Sequence, residues 1–136
     1  MTSSLEEKDI QAFHERFKLY GPNRPVLLTD DLYRFRVKFM QEEINEFQLA
    51  HERNDLPKSA DALVDLVYVA MGTAYLMGIP WRQIWNIVHF ANMQKIRADE
   101  TNRSERSQAF DVVKPEGWVS PDEEIRNYLR SLGARC

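Results

Sequence analysis

The chain has 136 residues, a net charge of −3 and an apolar fraction of 43%. This composition is typical of a globular protein and excludes a disordered or fibrous chain. The small negative charge gives no general electrostatic reason to bind nucleic acid. The single cysteine, Cys136, excludes an internal disulfide framework and a cysteine-rich zinc site. The N-terminus has no basic segment followed by an apolar one, so we expect a cytoplasmic protein without a signal peptide.

The length predicts one domain over residues 1–136, which glycines and prolines divide into five helical segments. These segments are approximately residues 5–19, 30–53, 58–77, 81–98 and 122–132. A C-terminal arm follows from about residue 99, and residues 99–120 have no regular pattern. No segment shows the alternation of a strand, so the predicted fold class is all-α.

The predicted third helix is apolar on almost every side between Ala62 and Met71. Asp65 and Gly72 interrupt the longer apolar stretch Ala62–Ile79, so it is not a clean membrane span of about 20 residues. A helix that is apolar all round needs partners on every side, and the long helices of one small chain are too few to cover it. We therefore expect a homodimer or homotetramer with this helix at its centre, and no membrane partner.

Three glutamates lie on one flank of the predicted second helix. At 100° per residue, Glu42 and Glu46 point about 40° apart, and Glu43 and Glu46 about 60° apart. A charge run of this kind is commonly a solvated face. The third helix adds Asp61 and Asp65, and Asp65 has no lysine or arginine one turn away. A carboxylate inside an apolar helix is costly unless it is paired, so Asp65 needs a partner from elsewhere.

The short turn between these two helices favours antiparallel packing. Counted from that turn, Glu43 and Asp65 lie at similar depth, so the acidic residues of both helices meet. Several carboxylates in one place are stable only with cations, and all-oxygen ligands indicate Mg²⁺ or Mn²⁺. No histidine follows a glutamate by three residues, which argues against a di-iron site.

A magnesium site in a helical protein usually handles phosphates, so basic and polar groups are expected beside it. The candidates are Arg34, Arg36, Lys38, Asn92, Lys95 and Arg97. Lys95 is equally well explained as a lysine stabilised by the dipole at a helix C-terminus. Trp118, in a Pro-Glu-Gly-Trp loop, is a candidate to close over the site or to pack on a partner subunit.

The acidic motifs read Glu42-Glu43-x-x-Glu46 and Asp61-x-x-x-Asp65-Leu66-x-Tyr68-Val69. This pattern resembles the all-α nucleoside triphosphate pyrophosphohydrolases, which include MazG-like and phosphoribosyl-ATP pyrophosphohydrolase-like proteins and are related to the dimeric dUTPases. Asn92-x-x-Lys95 and Lys114-Pro115-x-Gly117-Trp118-x-x-Pro121 resemble the short, phage-type branch. The resemblance covers roughly residues 10–125.

The resemblance implies a MazG-like fold, four-helix-bundle-like and completed by oligomerisation, and cleavage of a nucleoside triphosphate between its α and β phosphates. It implies that Mg²⁺ or Mn²⁺, with two or more ions per site, is held by Glu43, Glu46, Asp61 and Asp65. The candidate catalytic residues are Glu42, Glu43 and Lys95, with Glu42 activating water or holding a second ion. The candidate substrate-binding residues are Asn92, Lys95, Arg36, Lys38 and Trp118.

The chain departs from the family's usual ExxD motif. Ala62 stands where the glutamate is expected, and Asp61 lies one position earlier. The short branch is associated with deoxynucleotide pools, so the resemblance favours a deoxynucleoside triphosphate, dGTP first, in the host cytoplasm if the chain is phage-encoded. Two alternatives stay open: phosphoribosyl-ATP hydrolysis, and a non-catalytic helical dimer that binds a nucleotide or a protein.

Overall fold

The computed structural model describes residues 3–136. Met1 and Thr2, which begin the segment predicted to contain no signal peptide, lie outside the described part. Residues 3–136 contain five helices and two short strands, joined by turns and loops. They are α1 (Leu5–Arg16), α2 (Asp30–Glu52), α3 (Leu56–Leu76), α4 (Trp81–Met93), β1 (Ile96–Arg97), β2 (Val112–Val113) and α5 (Asp122–Ser131). The all-α fold class is confirmed.

The structure corrects the prediction for the segment that follows α4. The prediction of no strands is wrong, because β1 and β2 pair antiparallel with Ile96 opposite Val113. The helix predicted over 81–98 ends at Met93, since the chain then enters this ribbon. Strands of two residues are too short to show the alternation by which a sequence reveals a strand.

A tight turn sends α3 back along α2. Asn54 adopts a left-handed backbone conformation with φ of 55°, and the Asp55 side chain accepts from the Lys58 amide at 3.0 Å. The two helices form the most extensive helix pair in residues 3–136. α1 packs on α3, whereas α4 contacts α3 only sparsely. One chain therefore provides three closely packed helices, with α4 and the arm beyond it less covered.

Arg36 on α2 is the main polar link between α2 and α3. Its side chain is buried, its Nε donates to Thr73 Oγ1 at 2.9 Å, and its Nη2 donates to the Val69 carbonyl at 2.8 Å. The Thr73 hydroxyl donates to the same carbonyl at 2.7 Å. No salt bridge within residues 3–136 involves Arg36. Neutral acceptors and the ring of Phe39, 5.5 Å from the guanidinium carbon, surround this charge instead.

His14 connects α1 to the Arg36 link. It is 2% exposed, and its ring centre lies 4.7 Å from that of Tyr75. Burial lowers the pKa of His14, and the nearby charge of Arg36 lowers it further, although the bond to the Leu19 carbonyl opposes this. A neutral imidazole with its proton on Nδ1 donates to that carbonyl at 2.8 Å. The end of α1 is thereby held beside α2 and α3.

α3 is not covered on all sides within one chain. Leu63, Val64 and Val67 are 47%, 65% and 50% exposed. With 21 residues and a mean hydropathy of 1.2, α3 is the one helix of residues 3–136 that is long and apolar enough to cross a membrane. The core helix of a soluble protein can have the same length and hydropathy. The exposed apolar side chains agree with the prediction that one chain is too small to cover this helix.

Gly72→Ala tests whether the approach of α1 and α2 to α3 depends on this glycine. In a helix, alanine normally stabilises relative to glycine by about 0.5–1 kcal/mol. Here the added Cβ would lie 2.8 Å from both Arg36 Nη2 and His14 Nε2. We expect instead a loss of about 1–3 kcal/mol in the free energy of unfolding, measured by urea denaturation.

The matched control is Ala60→Gly, because Ala60 is an exposed residue of the same helix. This variant should lose about 1 kcal/mol through helix propensity alone. A Gly72→Ala protein that is more stable than the native protein would show that α1 and α2 do not need a glycine at this position.

Candidate active site

The candidate metal ligands lie on the facing helices α2 and α3. Arg36 precedes Glu43 by two turns on α2, and its acceptors Val69 and Thr73 follow Asp65 by one and two turns on α3. Because the helices are antiparallel, two turns forward on α2 correspond to two turns back on α3. The hydrogen bonds of Arg36 therefore set Glu43 level with Asp65.

Glu43 is the buried member of this group. It is 8% exposed, and its Oε2 is the one buried side-chain nitrogen or oxygen within residues 3–136 that has no hydrogen-bond partner. Burial is the largest cause of a raised pKa at Glu43, and the negative charges of Glu46 and Asp65 add to it. Burial likewise raises the pKa of Asp65, with Asp61 and Glu46 adding to the effect. A buried carboxylate oxygen without a donor is costly, so Glu43 is the residue that most needs a positive partner.

The donor set suits a hard divalent cation in its chemistry, since carboxylate oxygens are the ligands that Mg²⁺ and Mn²⁺ prefer. The candidate carboxylates do not converge on one point. No three histidine, cysteine, aspartate or glutamate side chains of residues 3–136 stand close enough together to form a complete metal site. Glu42, Glu46 and Asp61 are exposed, and Asp65 is half-buried.

The departure from the ExxD pattern has a structural counterpart. Ala62 is 2% exposed, whereas its neighbour Asp61 is exposed. Adjacent residues of a helix point about 100° apart, so Asp61 does not occupy the place that a glutamate at position 62 would take. Accordingly, among the three neighbouring carboxylates that raise the pKa of Glu43, Asp61 has a smaller effect than Glu46 and Asp65.

The predicted phosphate-binding residues of α2 differ in their surroundings. Arg36 is buried and donates to α3, so the structure places it between the helices. Arg34 pairs with Asp31 at the surface. Lys38 is exposed and has no salt bridge among the described residues, which makes it the α2 cation best placed to meet a ligand.

Lys95 and Trp118 come together at the C-terminal end of α4. The Trp118 indole N–H donates to the Ala91 carbonyl at 2.8 Å, and Lys95 Nζ lies 5.4 Å from the centre of the indole ring. Lys114 is absent from the predicted site residues, yet its Nζ lies 5.0 Å from the same ring. Asn92 is exposed, one turn before Lys95. The structure thus joins two predicted substrate-binding residues, Lys95 and Trp118, and adds Lys114 as a second basic residue.

A large groove of the described residues lies beside Trp118 and not at the carboxylates. It has a volume of about 690 Å³ and lies between α4, the turn before Trp118 and α5. Its described lining contains Glu116, Glu123 and Glu124 and no basic residue, so its charge does not suit a triphosphate. The region around Glu43 is the better candidate, because a buried oxygen there lacks a donor.

Sequence reasoning missed the buried position of Arg36, because a basic residue before an acidic motif is typical of a phosphate ligand. A signal was nevertheless present in the spacing. Arg36, Glu43 and Ala50 are the buried residues of α2, and they follow one another at intervals of seven, which keeps them on one helix face. His14 and Lys114 were missed because His14 packs on Tyr75 and Lys114 shares the Trp118 ring with Lys95, and both of these partners are distant in the sequence.

A protein-family model described as phosphoribosyl-ATP pyrophosphohydrolase matches residues 10–92 of the chain. The matched part contains the acidic residues of α2 and α3 and ends at Asn92. Lys95, Lys114 and Trp118 lie beyond it. A comparison with curated proteins found no match.

Glu43→Gln tests the cost of the buried carboxylate. Because the pKa of Glu43 is raised in the folded protein, its contribution to stability is present below the ordinary glutamate pKa and is lost as the pH rises through the raised value. With a chelator present, we expect Glu43→Gln to be more stable than the native protein at pH 7. The difference should vanish near about pH 4, as measured by urea denaturation.

The control for this experiment is Glu52→Gln, since Glu52 is exposed at the end of the same helix. Its unfolding midpoint should follow that of the native protein at both pH values. Equal stability of the native and Glu43→Gln proteins at pH 7 would mean that the buried oxygen carries no cost.

Proposed function

Since the chain belongs to the phosphoribosyl-ATP pyrophosphohydrolase family and is a pyrophosphohydrolase of the MazG-like all-α superfamily, we propose that its substrate is a deoxynucleoside triphosphate, with dGTP as the first candidate. Water would attack at the α phosphate, giving the monophosphate and pyrophosphate. The observation that carries the proposal is the buried Glu43 oxygen without a donor, level with Asp65 on the facing helix.

We propose that the ligands of Mg²⁺ or Mn²⁺, with two or more ions per site, are Glu43, Glu46, Asp61 and Asp65. A divalent cation neutralises the triphosphate, polarises the α phosphorus and lowers the pKa of a bound water. Glu43 Oε2 would gain the partner that it lacks. Glu46 already lies within hydrogen-bonding reach of Glu43, and Asp61 is exposed beside them.

The remaining candidates have distinct proposed roles. Glu42, exposed on the same flank as Glu46, would orient or deprotonate the attacking water, or help to hold a second ion. Lys95 would stabilise charge on the phosphates, and Asn92 would position the nucleotide. Lys38 would meet the approaching anion from solvent. Arg36 would act by positioning, because its bonds to α3 decide which carboxylates face one another.

Phosphoribosyl-ATP is the second candidate substrate, because the matching family model carries its name. Hydrolysis of phosphoribosyl-ATP would use the same metal-dependent attack on a phosphate anhydride. The buried Ala62, in place of the glutamate of the ExxD motif, favours the deoxynucleoside triphosphate over this alternative.

We propose that the protein works as a homodimer or homotetramer in the cytoplasm. The support for assembly is the apolar surface of α3, where Leu63, Val64 and Val67 remain about half exposed or more in one chain. Burial of such side chains is favourable by about 25 cal/mol per Å² of apolar surface, so a second copy that covers them stabilises the fold.

A screen of all deoxynucleoside and ribonucleoside triphosphates and phosphoribosyl-ATP, with pyrophosphate and orthophosphate detected separately, tests the substrate. With Mg²⁺ or Mn²⁺, we expect dGTP to give dGMP and pyrophosphate at the highest kcat/KM. Glu46→Gln and Asp65→Asn should each lower kcat by about a hundredfold or more, because they remove proposed metal ligands. Both ions should raise the Tm of the native protein but not that of Asp65→Asn.

The exposed Glu52 again supplies the control, and Glu52→Gln should keep the native rate. Release of orthophosphate and a nucleoside diphosphate would refute the proposed cleavage site. Faster turnover of phosphoribosyl-ATP than of every deoxynucleoside triphosphate would favour the second candidate. No turnover at all, together with no shift in Tm, would indicate a non-catalytic binding protein.

Sedimentation equilibrium tests the assembly. We expect a native mass at least twice the 16.0 kDa of one chain, because α3 is incompletely covered. Val64→Glu places a charge on the exposed apolar face of α3 and should shift the mass towards that of a single chain. Phe110→Glu is the control, since Phe110 is 94% exposed but lies outside the helices. A native protein of 16.0 kDa would refute the proposal.

A further inference from the structure

Lys95 and Lys114 are brought together by the small β ribbon. Lys95 directly precedes β1 and Lys114 directly follows β2, so the antiparallel pairing of Ile96 with Val113 places both lysines at the same end of the ribbon. Like charges at facing positions destabilise a strand pair. Neither lysine takes part in a salt bridge within residues 3–136. Two ammonium groups therefore share one indole ring, and neither forms a salt bridge with a carboxylate of the described residues.

Trp118 is the support for both lysines. Their Nζ atoms lie 5.4 Å and 5.0 Å from the centre of its ring, within the range of cation–π attraction. The ring itself is held in place, because its N–H donates to the Ala91 carbonyl at 2.8 Å and its backbone N–H donates to the Pro115 carbonyl at 3.1 Å. The attraction to the ring offsets part of the repulsion between the ammonium groups and restricts where they can move.

We propose that Lys95 and Lys114 form a paired-lysine site for pyrophosphate, both as the β and γ phosphates of the bound substrate and as the released product. This inference rests on the proposed function for the identity of the ligand. Each ammonium group offers three N–H donors, and two neighbouring ammonium groups match two linked phosphates better than one. Lys114 is the new residue of this site, and it lies outside the part of the chain matched by the family model.

The arrangement also revises the expected role of Trp118. A ring that already carries two ammonium groups is less open to stacking by a nucleobase. Trp118 therefore acts as a positioning residue for the lysines. The site should discriminate by phosphate number, because a single phosphate group cannot engage both ammonium groups as fully as a diphosphate.

Isothermal titration of the full chain with inorganic pyrophosphate, in a chelator so that no metal takes part, tests the site. We expect Lys114→Met to weaken pyrophosphate binding by about tenfold or more, as for the loss of one charge-assisted contact. Lys114→Arg keeps the charge and the contact with the ring, so it should stay within about threefold of native affinity. Lys8→Met is the control, since Lys8 is an exposed lysine on α1. Orthophosphate, titrated in parallel, should bind more weakly than pyrophosphate.

Each outcome separates this inference from the proposed function. Native pyrophosphate affinity in Lys114→Met, with unchanged thermal unfolding, would show that Lys114 only packs on the indole and would overturn the inference. Equal affinity for orthophosphate and pyrophosphate would also overturn it. If pyrophosphate binding depends on Lys114 but the protein hydrolyses none of the nucleotides, the paired-lysine site is supported and the proposed function is refuted. If the protein hydrolyses dGTP but Lys114→Met binds pyrophosphate with native affinity, the proposed function is supported and the paired-lysine site is refuted.

Discussion

The guanidinium group of Arg36 is buried between α2 and α3, where it donates to the Val69 carbonyl and the Thr73 hydroxyl. A buried charge is tolerated only when its donors are satisfied, so a shift of one helix by a turn would leave this cation without acceptors. The small side chains of the core, such as Ala50 and Ala62, distinguish one register from another much less strongly. The polar contact of Arg36 therefore determines how the two longest helices of the described chain align.

Two further features depend on this contact. A Cβ at position 72 would lie 2.8 Å from both Arg36 Nη2 and His14 Nε2, and His14 in turn holds the end of α1. The same alignment sets Glu43 level with Asp65 and leaves a Glu43 oxygen buried without a donor. The fold thus tolerates an unfavourable carboxylate at the place where the proposed metal ions would act. Such a cost is common at functional sites, where surrounding structure maintains a locally unstable arrangement.

Acidic and basic candidate residues lie in different segments of the chain. The carboxylates lie on α2 and α3, within the residues that match the family, and the paired lysines lie in the segment after α4. In the proposed reaction, cations on the carboxylates and the lysines would both meet phosphate oxygens. The mild net charge of −3 hides this local arrangement, because bound divalent ions would reverse the sign at the acidic cluster.

The sequence by itself determined the number and order of the helices and the facing positions of Glu43 and Asp65, because these depend on neighbours within a few turns of the chain or on one short connection. It also revealed the family through closely spaced acidic motifs. Only the tertiary structure decided that Arg36 lies between helices, that Ala62 and Asp61 differ in burial, and that Lys114 joins Lys95 at Trp118. These features arise from residues far apart in the sequence, and the burial and pairing of a charged side chain depend on groups that local periodicity does not specify.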